Sequence, residues 1–176
     1  MIARTHRLLI AAALVAALWG VRTTLPPGAG LHFLGAAALY LLFGAPRALL
    51  GLGLAALLAA LLGGTPLGAI PWTWLANAAC PVAVIWGVHR AVTRFAPPNP
   101  FFYVFGVAFA GAGLSMIASL ALRGAAGAGI DPFVALSLMM GFGEAFLTGM
   151  LVTLFVVYRR DWVTTFDDAR WLAPRA

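Results

Sequence analysis

FVALSLMMGFGEAFLTGMLVTLFVVY, residues 133–158, carries one charged side chain, Glu144, and stops at Tyr158-Arg159-Arg160. An α-helix crosses the hydrocarbon core of a bilayer in about 20 residues, with about 17–25 as the working range. The stretch therefore has the length and composition of a transmembrane helix closed by a basic stop at the interface. Working outward, five further apolar runs come near that length, at about 8–25, 30–45, 48–63, 72–89 and 101–122. Pro26-Pro27-Gly28, Gly63-Gly64-Thr65-Pro66 and Pro97-Pro98-Asn99-Pro100 punctuate the chain between them, as loop residues do. The expected fold is all-α: a polytopic integral membrane protein with a six-helix transmembrane bundle, one domain over 1–176, and a cytoplasmic tail at 159–176.

Composition agrees. The 176 residues are 63% hydrophobic and 9% charged, whereas soluble domains carry about 25% charged residues. The net charge of +6 comes from arginines, which are scattered between the apolar runs rather than clustered. They read as topology signals and not as a nucleic-acid surface. With the amino terminus inside, Arg4, Arg7, Arg47, Arg90, Arg94, Arg159, Arg160, Arg170 and Arg175 all fall on the cytoplasmic side, against Arg22 and Arg123 outside. Six crossings with both ends in the cytoplasm satisfy that bias. A secretory signal cleaved after the first apolar run is the competing reading of the amino terminus.

Enzyme classes find little support. The single cysteine, Cys80, excludes an internal disulfide and any Cys-Cys metal motif. There is no phosphate-binding Gly-Lys-Ser/Thr loop, no His-Glu-x-x-His and no Ser-His-Asp set. No catalytic residue is expected.

Polar groups inside apolar runs ask for a reason, because a charge at a helix centre costs about 2.5–3.5 kcal/mol on insertion scales. His32, Asn77 and Glu144 are the strong cases, with Ser115, Ser119, Ser137 and Thr148 weaker. Glu144 reads either as a cation or proton ligand or as a structural carboxyl bonded to neighbouring helices. His32 reads either as a metal ligand through one ring nitrogen or as an interfacial histidine bonded to loop backbone; its place after the Pro-Pro-Gly turn puts it at an outer entrance. Asn77 is expected to bond across helices near the break that Pro81 introduces. His89, beside Arg90, reads as interfacial. In the first run, Ala12/Ala16 and Ala13/Ala17 set small residues four apart, a spacing that lets helices approach closely.

Together these features resemble the membrane-embedded substrate-capture subunits of energy-coupling-factor transporters, cobalt/nickel type, over about residues 8–160. His-x-x-Gly (His32, Gly35) opens the second run and Leu42-Phe43-Gly44 closes it. Ala76-Asn77 starts a later run, and Glu144, Leu147 and Thr148 lie in the last. The alanine stripe is similar to the one with which such subunits dock onto their coupling partner. The resemblance implies that His32 is a candidate metal ligand; Glu144, from its place inside an apolar run, is a weaker candidate. The resemblance also implies that Ala12, Ala13, Ala16 and Ala17 contact a partner, and that cobalt or nickel ion is cargo rather than a resident cofactor. A transmembrane coupling subunit and ATPase subunits are the implied partners, in the cytoplasmic membrane of a bacterium. Family members also carry an outer amino-terminal helix beginning Met-His that completes a square-planar nitrogen site; this sequence opens MIARTHRLL, so it diverges there.

The alternative function is a non-transporting scaffold or assembly subunit of a larger membrane complex. The tail YRRDWVTTFDDARWLAPRA reads either as a helix on the inner headgroups or as a protein-binding segment.

Overall fold

The structure is a computed structural model that describes residues 2–21, 23–25, 29–62, 66–128 and 131–172, with side chains described for 4–21, 31–62, 66–126 and 136–172. Helix α1 (Ile2–Gly20) leads into a small antiparallel ribbon, β1 (Thr23–Leu25) and β2 (Ala29–Leu31), in which Thr23 pairs with Leu31. Residues 32–35 continue without regular structure into α2 (Ala36–Phe43) and α3 (Ala45–Leu61). Then come α4 (Leu67–Phe95), α5 (Phe102–Ala126) and α6 (Asp131–Tyr158). One 3-10 turn at Arg160–Trp162 precedes the last short helix, α7 (Asp168–Trp171).

The protein is an all-α membrane protein. Leu67–Phe95, Phe102–Ala126 and Leu136–Tyr158 are each long and apolar enough to cross a bilayer. On α6 the exposed large side chains include Leu138, Phe142, Phe146, Met150 and Leu154. Their spacing of four lays an apolar stripe along the outside of the bundle, a surface suited to lipid and not to water. The opposite face of α6 presents Glu144, Thr148 and Val152 to the interior, all buried.

Glycines set the closest approaches between helices. A Cβ on Gly113 would lie 3.1 Å from the Gly141 carbonyl oxygen, so α5 and α6 cross nearly backbone to backbone. Within α4, Leu75–Ala79 forms a π-turn directly before Pro81. Proline has no N–H to offer the carbonyl four residues back, and the ladder shifts register there, with the Cys80 N–H bonding Leu75. Gly44, at φ 78°, turns the chain from α2 into α3 while its N–H closes α2 on the Tyr40 carbonyl at 2.8 Å.

Three expectations are revised. The run at 30–45 is not a continuous helix: its first part is strand and irregular chain, and α2 has 8 residues, about 12 Å at 1.5 Å per residue. Nor is α2 a lipid-facing element, since Ala36 to Leu41 are all buried. The first helix ends at Gly20 rather than near 25, and it is packed into the bundle, with Ala12, Val15, Ala16 and Trp19 buried.

The third revision concerns the tail. Residues 159–172 neither lie free nor form a surface helix. Val163, Phe166 and Trp171 enter the core, and the Thr165 N–H and hydroxyl both bond the Leu41 carbonyl, at 3.3 and 2.8 Å. Arg170 donates to the Thr93 and Ala96 carbonyls at 2.8 and 2.6 Å, filling the acceptors that the end of α4 leaves open. Arg7 lies over the Trp162 ring at 4.3 Å. The start of α1, the α2–α3 turn, the end of α4 and residues 159–172 thus share one end of the bundle. Most of the arginines that the charge bias assigns to one side are at that end; Arg22, Arg175 and the loop marks at 26–28 and 63–65 lie outside the described residues.

Candidate functional site

Backbone inside an apolar bundle must satisfy its polar groups within the protein, and residues 32–35 do so with two long-range side chains, Glu144 and Trp19, and with His32 of the segment itself. The Leu34 N–H donates to Glu144 Oε2 at 2.9 Å and the Gly35 N–H to Oε1 at 2.8 Å. The Trp19 indole N–H donates to the Leu34 carbonyl at 3.1 Å. The His32 Nδ1–H donates to the Phe33 carbonyl at 3.1 Å. Gly35, at φ 65°, is the N-cap of α2, so the Glu144 carboxyl sits at the start of a half-length helix. Unpaired N–H groups and the positive end of the peptide dipoles converge there. Gly143, just before Glu144, leaves room for the Phe33 ring; a Cβ there would lie 2.8 Å from Phe33 Cε1.

This arrangement assigns Glu144, 2% exposed, to the structural alternative. Both its oxygens are taken up by backbone donors 109 and 110 residues away in sequence, which accounts for the carboxyl without a metal. His32 is 9% exposed and packed on Trp19 with ring centroids 5.4 Å apart. Because a carbonyl only accepts, its bond to Phe33 places a proton on Nδ1. Among the described residues, no three His, Cys, Asp or Glu side chains come together as a metal cluster.

The alanine stripe divides. Ala12 and Ala16 are buried within the chain, so they present no surface to a partner, whereas Ala13 and Ala17 are exposed. The buried pair serves packing of α1 on α3, where Gly51 lies so close that a Cβ would meet Leu8 at 2.9 Å. Asn77 is buried in the π-turn with Oδ1 unpaired. Near it the Ser115 hydroxyl lies 2.7 Å from the Gly111 carbonyl oxygen of its own helix and 3.0 Å from that of Pro81; the two share its single proton.

His89 is also more embedded than its sequence context implies. Its Nδ1 lies 2.8 Å from the Tyr40 hydroxyl, and its ring meets Tyr103 edge-on. The Tyr103 hydroxyl in turn lies 2.6 Å from Thr165 Oγ1. Tyr40, Tyr103 and Thr165 were not marked by the sequence reading. An aromatic hydroxyl within an apolar run, which requires a partner when buried, was the available signal.

A cavity of about 540 Å³ opens beside this assembly, between α1, α2 and α6. Glu144 and Gly35 lie deep along its wall, and Arg4, Arg7 and Arg47 line its other end.

Comparison with known proteins adds one finding. A family model described as cobalt uptake substrate-specific transmembrane region matches residues 3–162, nearly the whole chain. No curated protein and no solved structure matches it.

Proposed function

Since the chain belongs to the cobalt uptake substrate-specific transmembrane family, we propose that it is the substrate-capture subunit of an energy-coupling-factor transporter for cobalt or nickel ion. The match over residues 3–162 carries this reading. The chain crosses a bacterial cytoplasmic membrane six times with both ends inside. The second crossing combines an irregular outer half with the short helix α2. His32 contributes one ring nitrogen to the captured ion. Because a tetragonal nickel or copper site uses several nitrogens, the remaining ligands come from elsewhere in the transporter or its cargo. A transmembrane coupling subunit docks on the exposed Ala13 and Ala17, and soluble ATPase subunits supply the energy.

The test is uptake of radioactive cobalt and nickel by cells expressing the chain with coupling and ATPase subunits. Wild type is expected to accumulate one of the ions in an ATPase-dependent way, and His32→Ala to reduce that at least tenfold. Unchanged uptake in His32→Ala removes the histidine from the reading. No uptake of either ion, with the chain recovered in another membrane complex, establishes the scaffold function instead.

A further inference from the structure

The cavity between α1 and α6 has a polarity gradient that neither the capture of an ion nor the docking of alanines uses. Its long walls are apolar: Ile10 and Leu14 on α1, Leu147 and Leu151 on α6, and Leu39 on α2. Ile10, Leu14 and Leu147 are exposed, so the cavity is a groove open to the side of the bundle. Along α1 the lining extends from Arg4 to Leu18, about 21 Å at 1.5 Å per residue. One leaflet of hydrocarbon is about 15 Å deep, half of a core of about 30 Å. The groove therefore matches the reach of one acyl chain plus its headgroup.

The charged end selects the headgroup. Arg4, Arg7 and Arg47 meet there with Asp161, an excess of positive charge. The one salt bridge among the described residues is Arg160–Asp168, so none of these three guanidinium groups is neutralised by a described carboxylate. Arg7 is braced on Trp162, an aromatic placed as at a headgroup interface. Guanidinium groups bind phosphate through paired N–H donors. We propose that this groove holds one acyl chain of an anionic phospholipid from the leaflet on the Arg4 side. Its phosphate sits among Arg4, Arg7 and Arg47, and its tail reaches toward Gly35. Bound there, the lipid fills the space between α1 and α6.

Native mass spectrometry of the whole chain, extracted from bilayers of equal phosphatidylglycerol and phosphatidylcholine, tests this. One phosphatidylglycerol is expected to remain bound at least tenfold in preference to phosphatidylcholine. Arg4→Gln/Arg7→Gln/Arg47→Gln is expected to lose that preference, and Leu14→Trp, which narrows the groove and keeps the arginines, to lower retention at least fivefold. A photo-reactive side chain substituted at Leu14, which is 66% exposed, is expected to capture lipid in an otherwise unaltered chain. Equal retention of the two lipids, retention unchanged in either variant, or capture of a partner protein instead of lipid at Leu14 would each overturn the proposal.

Discussion

Glu144 and Gly35 are joined by a 2.8 Å hydrogen bond from the Gly35 N–H to Oε1, across 109 residues of sequence. With the 2.9 Å bond from Leu34, this pair ties the middle of α6 to the point where irregular chain gives way to α2. The carboxyl that sequence reading leaves between a cation or proton ligand and a structural group accepts both backbone donors at the start of α2.

Replacing Glu144 measures those bonds. Glu144→Leu leaves two buried N–H groups without acceptors, at about 1–3 kcal/mol each. Glu144→Gln keeps one oxygen and is expected to lose about half as much. Thermal unfolding in detergent, monitored by circular dichroism, checks the order wild type, Gln, Leu.

Gly35 is constrained twice. Its φ of 65° costs an L-residue about 1–2 kcal/mol, and a Cβ there would lie 2.9 Å from Val15 Cγ2. Gly35→Ala is expected to destabilise the fold by more than the backbone term alone. Adding Val15→Ala should recover part of the loss, and a double-mutant cycle on unfolding midpoints reads the recovered part as coupling.

Gly143 fixes the same segment from the α6 side. Gly143→Val places two methyl groups where the Phe33 ring lies and is expected to cost about 1–3 kcal/mol, as overpacking does. Phe33→Ala in the same chain should restore most of it. A Gly143→Val chain as stable as wild type would show that Phe33 does not rest on α6.

The tail supplies an independent test. Trp171 is buried against Tyr103, ring centroids 5.8 Å apart, and Trp→Ala in a core costs about 3–5 kcal/mol. Trp171→Ala is expected to release residues 163–172, so that trypsin cleaves after Arg170 at least tenfold faster than in wild type. Equal cleavage rates would mean that the tail is not held.

The sequence made legible what rests on local composition. Runs of spanning length, the Pro- and Gly-rich breaks and the gathering of arginines at one end all have local causes. The irregular stretch before α2 has none. GLHFLGAAALYLLFGA has the same composition whether it faces lipid as one helix or lies buried with its first part irregular. What decides is a carboxyl more than a hundred residues away. Alanine spacing likewise identified a close-packing helix but not which of two adjacent stripes faces inward, because that depends on where α3 lies. In the tail, Trp and Arg suit both headgroups and the end of a helical bundle; the hydrogen bonds to Leu41, Thr93 and Ala96 separate the two. On function the sequence offers His32 as a candidate, and one histidine does not name an ion.

Amide hydrogen exchange at Leu34 and Gly35, resolved by NMR of labelled protein in nanodiscs, tests the Glu144 contact with the start of α2 most directly. Both amides are expected to be strongly protected in wild type and to exchange at least a hundredfold faster in Glu144→Leu, with amides in the middle of α4 unchanged. Rapid exchange at both positions in wild type, or protection unaffected by loss of the carboxyl, would contradict the account.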